Sequence, residues 1–400
     1  MLTAHKIALN PNNKQSTYFS KAAGVARFAY NWALAEWSRQ YEEWRADTTL
    51  LKPSQVALRR QLNALKREQF PWMLEVTKNA PQMAIIQLGD AFNNFFAGRA
   101  RYPTFRRKGI HDRFSLTNDQ FQLDGSRIRI PNLGWVRMRE VLRFPGKIMS
   151  ATISRVADRW FVSITVDIPE GSLMPAAENQ GAVGVDLGIS ALATLSTGEV
   201  IQGPKAHTRL LKRLKRLSQQ LSKKEKGSQN RKKLKVKLAR LHAKIANIRK
   251  DALHKLTSDI TRRFDTIGIE DLNVRGMMKN HCLARTIADM SFYEFRRQVE
   301  YKADRRGGIV FVADRWFASS KICSCCGYKL SELALSVREW ACAACHAQHD
   351  RDHNAAVNLK NMAVSSTVSA CGEEGAGLGR KNKVKPASMK QEVNAITTYG

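Results

Sequence analysis

Acidic residues are scarce in this chain, and long apolar runs are missing. The 400 residues contain 66 Lys+Arg against 35 Asp+Glu, which gives a formal net charge of +31. No apolar run approaches the roughly 18 residues that a membrane-spanning helix needs, and no amino-terminal signal peptide is visible. We therefore expect no membrane partner, and the excess positive charge favours nucleic acid. General basic stickiness, as in ribosomal proteins, is the alternative that composition alone leaves open.

Cysteine is confined to a small part of the chain, since five of the seven cysteines lie within residues 323–345. This clustering favours a metal site in a reducing compartment over a disulfide framework. Two C-x-x-C pairs with the spacing of a zinc site supply the candidate ligands, which are Cys323, Cys326, Cys342 and Cys345. Four thiolates complete a tetrahedral shell, so this Zn²⁺ is predicted to be structural. Three neighbouring side chains remain open as alternative ligands: Cys325, His346 and His349.

Three short acidic motifs lie in order along the carboxy-terminal half. Asp186 and Glu270 each end an apolar strand-like segment, and Asp352 opens a predicted helix. Carboxylates on such scaffolds suit two divalent cations held about 3.5–4 Å apart, as in two-metal nucleases, and Mg²⁺ prefers oxygen ligands. Taken singly, each acid could be an ion-paired residue or a helix cap. Together, in so basic a chain, they predict hydrolysis of phosphodiesters.

The hydrophobic periodicity predicts two or three domains. Residues 2–9 alternate like a strand, residues 11–98 are helical, and period-two segments between Phe114 and Ile168 suggest a small antiparallel barrel. Residues 169–180 read as a linker. The next domain is predicted to contain strands at Ala182–Asp186, Thr266–Glu270 and Ile309–Ala313. A further helix is expected to begin at Ser291, with Glu294 completing a capping box.

Two basic segments are candidate nucleic-acid surfaces. In the loop 99–108, arginines alternate with aromatic residues, which suits phosphate contact and base stacking, although a solvated loop is equally consistent. Residues 205–250 hold 18 Lys+Arg and a single acid, Glu225. Leucines at helical spacing predict a helical hairpin there, with one apolar seam and one basic face.

The motifs around these acids and cysteines resemble those of the TnpB family, the RNA-guided nucleases encoded by bacterial insertion sequences. TnpB proteins are similar to the miniature type V CRISPR effectors. The resemblance covers about residues 1–363 and rests on four segments: GVDLGIS at 184–190, IGIEDLN at 267–273, SSKICSCCG at 319–327 and DRDHNAAVNL at 350–359.

The resemblance implies that Asp186, Glu270 and Asp352 are the three RuvC carboxylates. Asp186 would bridge two catalytic Mg²⁺ ions, and the other two acids would each complete one metal site. Asp352 is preferred over Asp350 because the family motif places its acid two residues before an asparagine, here Asn354. The DRD triplet still leaves open which aspartate faces the metals.

The implied fold class is α/β plus β-barrel, with an RNase H-like RuvC domain and a wedge-like barrel. The expected divisions are a wedge-like barrel at 1–10 and 99–170, a helical recognition insertion at 11–98, the RuvC-like domain at 181–363 with the basic hairpin at 205–250 and the zinc ribbon at 319–349, and a disordered basic tail at 364–400.

The implied function is RNA-guided, metal-dependent cleavage of double-stranded DNA next to a short motif. The guide RNA would come from the transposon end, and the protein would act as a monomer within the ribonucleoprotein in the bacterial cytosol, close to the nucleoid. The expected nucleic-acid contacts are Lys78, Gln82, Arg99, Arg101, Arg106, Arg107, Lys212, Arg213, Lys215, Arg216, Lys232 and Lys235.

Three other functions stay open at this point. A miniature CRISPR effector would share the fold and the carboxylates. A guided repressor would bind DNA without cutting it, although the intact acidic triad argues against that function. A transposase would join DNA ends, but the sequence shows no tyrosine or histidine-rich nucleophile motif.

Overall fold

The chain folds into two compact units. The computed structural model describes residues 1–169, 175–334 and 336–372. Unit 1 combines Met1–Pro175 with Pro204–Ala252, and unit 2 combines Ala176–Gly203 with the chain from Leu253 onward. The basic hairpin therefore packs with the amino-terminal half, whereas the sequence had placed it inside the domain 181–363.

Unit 1 is built from antiparallel strands with helices between the first and second of them, as the sequence predicted. Its elements are β1 (Leu2–Ala8), α1 (Asn13–Ala46), α2 (Gln55–Leu65), α3 (Asn79–Phe96), β2 (Arg113–Thr117), β3 (Gln122–Asp124), β4 (Arg127–Ile130), β5 (Gly134–Arg137), β6 (Lys147–Val156) and β7 (Arg159–Asp167). The described strands form sheets of order β1-β7-β6-β2 and β3-β4-β5. Short 3₁₀ turns occupy Pro71–Glu75 and Asn118–Gln120.

Local sequence chemistry explains where these helices begin. Asn12 and Gln15 form a reciprocal capping box at the start of α1, and Ser54 accepts a hydrogen bond from the backbone of Ala57 at the start of α2. Such caps satisfy the unpaired N–H groups of the first helical turn. The core then forms where α1 meets the sheet, with the Phe19 ring 5.2 Å from that of Trp160.

The basic hairpin of unit 1 consists of α4 (Ala206–Ser222) and the first part of α5 (Gln229–Arg263). Its apolar seam contains buried Leu217, Leu241 and Ile245, with further leucines packed against them. The Arg231 guanidinium donates to the carbonyl oxygens of Leu221 and Lys224, both at 2.7 Å, and so caps the end of α4. The predicted seam is confirmed, while helix α5 continues beyond the predicted end at residue 250.

Unit 2 contains a mixed sheet covered by one long helix. Its elements are β8 (Ala182–Asp186), β9 (Ala193–Leu195), β10 (Val200–Ile201), β11 (Thr266–Glu270), α6 (Val274–Met277), α7 (Ala284–Met290), α8 (Phe292–Arg306), β12 (Ile309–Ala313), β13 (Glu339–Ala341), β14 (Gln348–Asp350) and α9 (Arg351–Gly372). Its described strands are ordered β10-β9-β8-β11-β12 in the main sheet. Strands β8, β11 and β12 are parallel, and Gly184 pairs with Gly268.

Two glycines allow helix α9 to lie directly on this sheet. A Cβ atom at Gly184 would come within 1.8 Å of the Ala356 carbonyl oxygen, and one at Gly268 within 2.3 Å of the Leu359 carbonyl oxygen. Any side chain at either position would therefore push the helix away from the strands. Each glycine lies two residues before a candidate carboxylate, so it shares a sheet face with that carboxylate.

Two expectations about the ends of helices were wrong. Ser291 has a left-handed backbone (φ 57°) and makes no side-chain cap on α8, because its hydroxyl donates to the Ala288 carbonyl of the preceding helix instead. Residues 364–372, assigned to the tail, continue helix α9. The rest of the predicted tail, 373–400, lies outside the described residues. Among the described helices, none combines the length and apolar character needed to span a bilayer.

Candidate metal centre and nucleic-acid interface

The parallel register of the sheet brings Asp186 and Glu270 to the same edge of unit 2. Val185 pairs with Ile269, so these two acids stand one residue further along neighbouring strands, which lie about 4.8 Å apart. Helix α9 crosses the same face and places Asp352 in its first turn. The charge of Asp352 acts on Asp186. The structure therefore brings the three predicted acids to one edge.

Burial and mutual repulsion make this edge unfavourable for negative charge. Removal from water raises the pKa of Asp186 well above its usual range, and the charges of Glu270 and Asp352 raise it further. The cations of Arg351 and Arg338 act in the opposite direction but do not offset the rise. A nearby cation would favour the ionised form of such a carboxylate.

Glu270 is oriented by a neighbouring hydroxyl. The Ser319 Oγ donates to Glu270 Oε1, which lowers the pKa of Glu270, although burial is the larger effect and the net pKa is raised. The adjacent Asp271 forms ion pairs with Arg296 at 2.7 Å and Arg315 at 2.6 Å. Glu270 differs from Asp271 in that the charge of Arg351 acts on it without outweighing the effect of burial.

The two aspartates of the DRD triplet have different environments. Asp350 Oδ1 accepts a hydrogen bond of 2.8 Å from the backbone N–H of His353 and so caps helix α9. Asp352 instead pairs with Arg338, whose Nη1 lies 3.1 Å from Oδ1 and 3.4 Å from Oδ2. These contacts favour Asp352, rather than Asp350, as the residue that acts together with Asp186.

The cysteines form two similar knuckles. In the first, the Gly327 N–H donates to the Cys323 carbonyl, and in the second the His346 N–H donates to the Cys342 carbonyl, both at 2.9 Å. The residue after each second cysteine has a positive φ, 77° at Gly327 and 60° at His346. A glycine adopts this backbone freely, whereas a histidine rarely does.

The four sulfur atoms are close enough to hold one ion. The Sγ atoms of Cys323 and Cys345 are 3.6 Å apart, as are those of Cys326 and Cys342. A tetrahedral zinc with Zn–S bonds of about 2.3 Å requires sulfur separations of about 3.8 Å, so the donor set fits Zn²⁺. Backbone N–H groups of Cys345 and Ala344 outweigh the effect of burial and lower the pKa of Cys342 to about 6.

A second set of potential ligands overlaps the first. Cys323, Cys325 and His349 also have ligand atoms within 4.8 Å of one another, and the His349 Nε2 lies 3.0 Å from the Cys323 Sγ. Cys325 is exposed, and the His349 ring packs on Trp340 with centroids 4.7 Å apart. Among the described residues, the three carboxylates do not form such a compact set. Acids that serve two separate ions need not converge on one point.

Two asparagines of helix α9 attach the cysteine ribbon to the acidic edge. Asn354 accepts a hydrogen bond from the Ser324 N–H at 2.9 Å and donates to the Ile322 carbonyl at 2.7 Å. Asn358 donates to the carbonyls of Ser319 at 2.8 Å and Ile322 at 2.6 Å. Sequence reasoning missed this role, although the two asparagines are four residues apart, which places them on one helix face.

A basic groove of about 410 Å³ opens beside Glu270. Arg275, Arg296 and Arg315 line it, together with Tyr293, whose side chain is 71% exposed. Arginines can bind phosphate oxygens, and an exposed aromatic ring can stack on a base. None of these four residues was among the predicted contacts.

The predicted contacts in the helical part of unit 1 have different surroundings. Lys78 and Gln82 line a cleft of about 120 Å³ together with Arg59 and Lys66. Exposed side chains in the basic loop are Arg99, Arg101 and Arg107. Arg106 instead turns inward, with its guanidinium 3.7 Å from the centre of the Tyr30 ring and 3.0 Å from the Gln87 Oε1. Burial lowers the pKa of Arg106 to about 10, so this residue supports the loop.

The predicted contacts on the hairpin share one property, which is exposure to solvent. The exposed residues are Lys212, Arg213, Lys215, Arg216, Lys232 and Lys235. Between α4 and α5 lies a groove of about 580 Å³ whose lining includes Arg213, Arg216, Lys237, Arg240 and Lys244. Such a positively charged surface can bind the phosphate backbone of a nucleic acid with an affinity that depends on salt concentration.

Comparison with known proteins identifies related chains of similar length. A protein from Streptomyces pristinaespiralis named "Putative RNA-guided DNA endonuclease" is 37% identical over 399 residues, covering 98% of this chain and 97% of that protein. "Putative RNA-guided DNA endonuclease InsQ" from Escherichia coli (strain K12) is 34% identical over 408 residues, covering 98% of both chains.

Family models match three segments. The model described as "Probable transposase" (OrfB_IS605) matches residues 162–281, the Cas12f1-like TNB domain matches 292–359, and a helix-turn-helix domain model matches 1–45. In this chain, the last segment holds strand β1 and most of helix α1. The solved Cas12f1–sgRNA–target DNA complex has a similar fold, with a TM-score of 0.54 at 14% identity over 88% of this chain and 83% of that one.

Proposed function

Because this chain belongs to the TnpB family, we propose that it is an RNA-guided endonuclease that hydrolyses DNA at the edge formed by Asp186, Glu270 and Asp352. The observation that carries the proposal is the gathering of these acids at one edge, where burial and the neighbouring acids raise the pKa of Asp186 despite the nearby cations of Arg351 and Arg338. The fold would be the RNase H-like RuvC domain with its zinc ribbon, next to a wedge-like barrel and its helical insertion.

The donor chemistry of the edge fits divalent metal. Asp186 would bridge two Mg²⁺ ions, and Glu270 and Asp352 would each complete one site. When bound, such ions activate water and stabilise the leaving oxygen of a phosphodiester. The chain itself orients the ligands: Ser319 holds Glu270, and the first turn of helix α9 presents Asp352.

The basic surfaces would bind the nucleic acids. A single DNA strand would lie in the groove beside Glu270, where Arg275 and Arg315 can bind phosphates. The exposed hairpin would bind guide RNA or the guide–target duplex, and the cleft at Lys78 and Gln82 would read the target-adjacent motif. Base pairing with the guide would then supply most of the sequence choice. We propose a monomeric ribonucleoprotein in the bacterial cytosol, where the zinc thiolates stay reduced.

The first test identifies the RNA. The chain is expressed with its native flanking DNA, and the RNA that copurifies with it is sequenced. A discrete species that maps to the adjacent transposon end is expected. A smear of host RNA would instead indicate general basic stickiness.

The second test compares the two kinds of aspartate. With the identified RNA, Asp186→Ala should abolish Mg²⁺-dependent cleavage of a complementary plasmid while RNA affinity stays within about twofold. Asp350→Ala is the matched control, because it removes a neighbouring acid that caps helix α9. It should weaken α9 but retain cleavage. Full cleavage by Asp186→Ala would refute the assignment, binding without cleavage by the unaltered chain would favour a repressor, and joined DNA ends would favour a transposase.

A further inference from the structure

A second cavity of unit 1 lies where the β6–β7 turn faces helix α5. This turn groove has a volume of about 510 Å³. The sheet side contributes Lys6, Arg159 and Phe161, and α5 contributes Lys244, Ile248 and Lys250. None of these residues belongs to the acidic edge, and none was among the contacts predicted from the sequence.

Cations outnumber acids among the described residues that line the turn groove. Asp158 is the acid among the groove's lining residues, all of which the structure describes, and its Oδ2 is bound by the Arg240 guanidinium. Lys6 and Lys250 face each other closely enough to repel: burial lowers the pKa of Lys6, and the charge of Lys250 lowers it further. Two lysines held together without a carboxylate form a site for an anion such as phosphate.

The apolar wall of the turn groove can pack against the ring of a nucleic-acid base. Phe161 and Ile248 are half-buried there, and the Lys6 Nζ lies 4.8 Å from the centre of the Phe161 ring. An aromatic ring next to a lysine can stack on a base while the lysine contacts the attached phosphate. The groove therefore combines apolar and cationic groups in the way that a nucleotide requires.

The Asp158 carboxylate accepts from Arg240 and from its own backbone N–H. Its Oδ1 is buried and accepts no hydrogen bond from another residue, although a buried acceptor without a donor is unfavourable. The β6–β7 turn fixes this carboxylate, with Ala157 at a positive φ of 56°. Nucleic acids can donate to such an oxygen from base N–H groups and, in RNA alone, from the ribose 2′-hydroxyl.

We propose that the turn groove binds one unpaired nucleotide of the guide RNA. Its phosphate lies between Lys6 and Lys250, its base packs on Phe161 and Ile248, and its 2′-hydroxyl donates to Asp158 Oδ1. The inference rests on the proposed function in that it takes RNA as the partner. The groove between α4 and α5 shares Arg240 and Lys244 with the turn groove, so the two can hold consecutive parts of one strand.

Binding of two matched oligonucleotides tests the role of Asp158. Fluorescence anisotropy is measured for the full chain with a labelled 12-nucleotide oligouridylate and with the oligodeoxyuridylate of the same length, which differ in the 2′-hydroxyl. The unaltered chain should prefer the RNA. Asp158→Ala should reduce that preference by about three- to tenfold, the size of one hydrogen bond.

The control for Asp158→Ala is the same substitution at an acid in another turn of unit 1. Asp124→Ala removes an acid that pairs with Arg127 and should leave the RNA preference unchanged. An unchanged preference in Asp158→Ala, with the chain folded as judged by its melting temperature, would overturn the contact.

The two lysines are tested by salt dependence. The double variant Lys6→Ala with Lys250→Ala should lower the affinity for both oligonucleotides several-fold. The slope of log K against log salt should fall by about 0.7 for each phosphate contact that is lost on a single strand. Lys147→Ala, at an exposed lysine outside the groove, should change neither. An unchanged slope in the double variant would refute the phosphate site.

These binding measurements are independent of cleavage. If the preference for RNA depends on Asp158 but the chain does not cleave DNA, the turn groove is supported and the proposed nuclease activity is refuted. If Asp186→Ala abolishes cleavage while substitutions at Asp158, Lys6 and Lys250 leave RNA binding unchanged, the nuclease activity is supported and the turn groove is refuted.

Discussion

The acidic edge of unit 2 and the basic hairpin of unit 1 each gather like charges, and the two regions are built in opposite ways. The acids of unit 2 are fixed at the end of a buried sheet, and burial raises the pKa of Asp186 and Glu270. The cations of the unit 1 hairpin project into solvent from two helices joined by a narrow seam. The proposed metal binding at the acidic edge depends on where each acid lies, whereas the proposed RNA binding by the hairpin depends on how many positive charges it carries. A single substitution should therefore matter greatly in the first region and little in the second.

The largest effect is expected where helix α9 meets the sheet. Gly184→Ala places a methyl group 1.8 Å from the Ala356 carbonyl oxygen and should destabilise unit 2 by about 3 kcal/mol, the upper end for overpacking. Gly24→Ala is the control, because its Cβ in α1 meets nothing closer than 3.9 Å and alanine favours a helix. Urea unfolding measures both. Equal stability of the two variants would show that the close approach of α9 is not what holds the edge.

Loss of the ribbon's metal should come next. Cys342→Ser removes one thiolate, so zinc content should fall, and the support that Ser319 gives to Glu270 should weaken. Disrupting contacts that orient metal ligands costs about 10- to 100-fold in activity, so cleavage should fall in that range while RNA affinity is retained. The control Cys325→Ser changes an exposed neighbour. Zinc loss in Cys325→Ser instead would favour the ligand set with His349.

The repulsion at the acidic edge should appear as a gain in stability when it is removed. An acid whose pKa is raised by folding binds more protons in the native than in the unfolded state at any pH between its two pKa values. The free energy of unfolding therefore falls as pH rises through that interval. In EDTA at neutral pH, Asp186→Asn should therefore raise the melting temperature, by about 2–4 °C per kcal/mol relieved. The gain should shrink as pH falls towards the ordinary range of aspartate. A lower melting temperature at neutral pH would contradict the pKa argument.

The smallest effect is expected on the hairpin. Lys215→Ala removes one exposed charge, so guide RNA affinity should fall only a few-fold at moderate salt, with a slope reduced by about 0.7–0.9. Gln219→Ala, on the same exposed helix, is the uncharged control. A near-complete loss of guide RNA affinity in Lys215→Ala would mean that position, as well as number, matters in the hairpin.

Much of the chemistry could be predicted because it depends on residue type and local pattern. The strands that carry Asp186 and Glu270, the four cysteines and the leucine seam were all visible as short-range regularities. What was missed depends on tertiary contact. Ser291 has the composition of a cap, but the preceding helix α7 forces its backbone into the left-handed region. Arg106 belongs to a basic run, and only its packing on Tyr30 distinguishes it from Arg107.

The glycines under helix α9 have a consequence for engineering. At Gly184 and Gly268 the sheet and the helix touch main chain to main chain, so the spacing of the acids is set by peptide geometry, which hardly varies with side-chain composition. Repacking the surrounding apolar residues should tune how much heat unit 2 withstands without moving Asp186, Glu270 or Asp352. Thermal stability and the spacing of the three acids are thus separable design variables in unit 2.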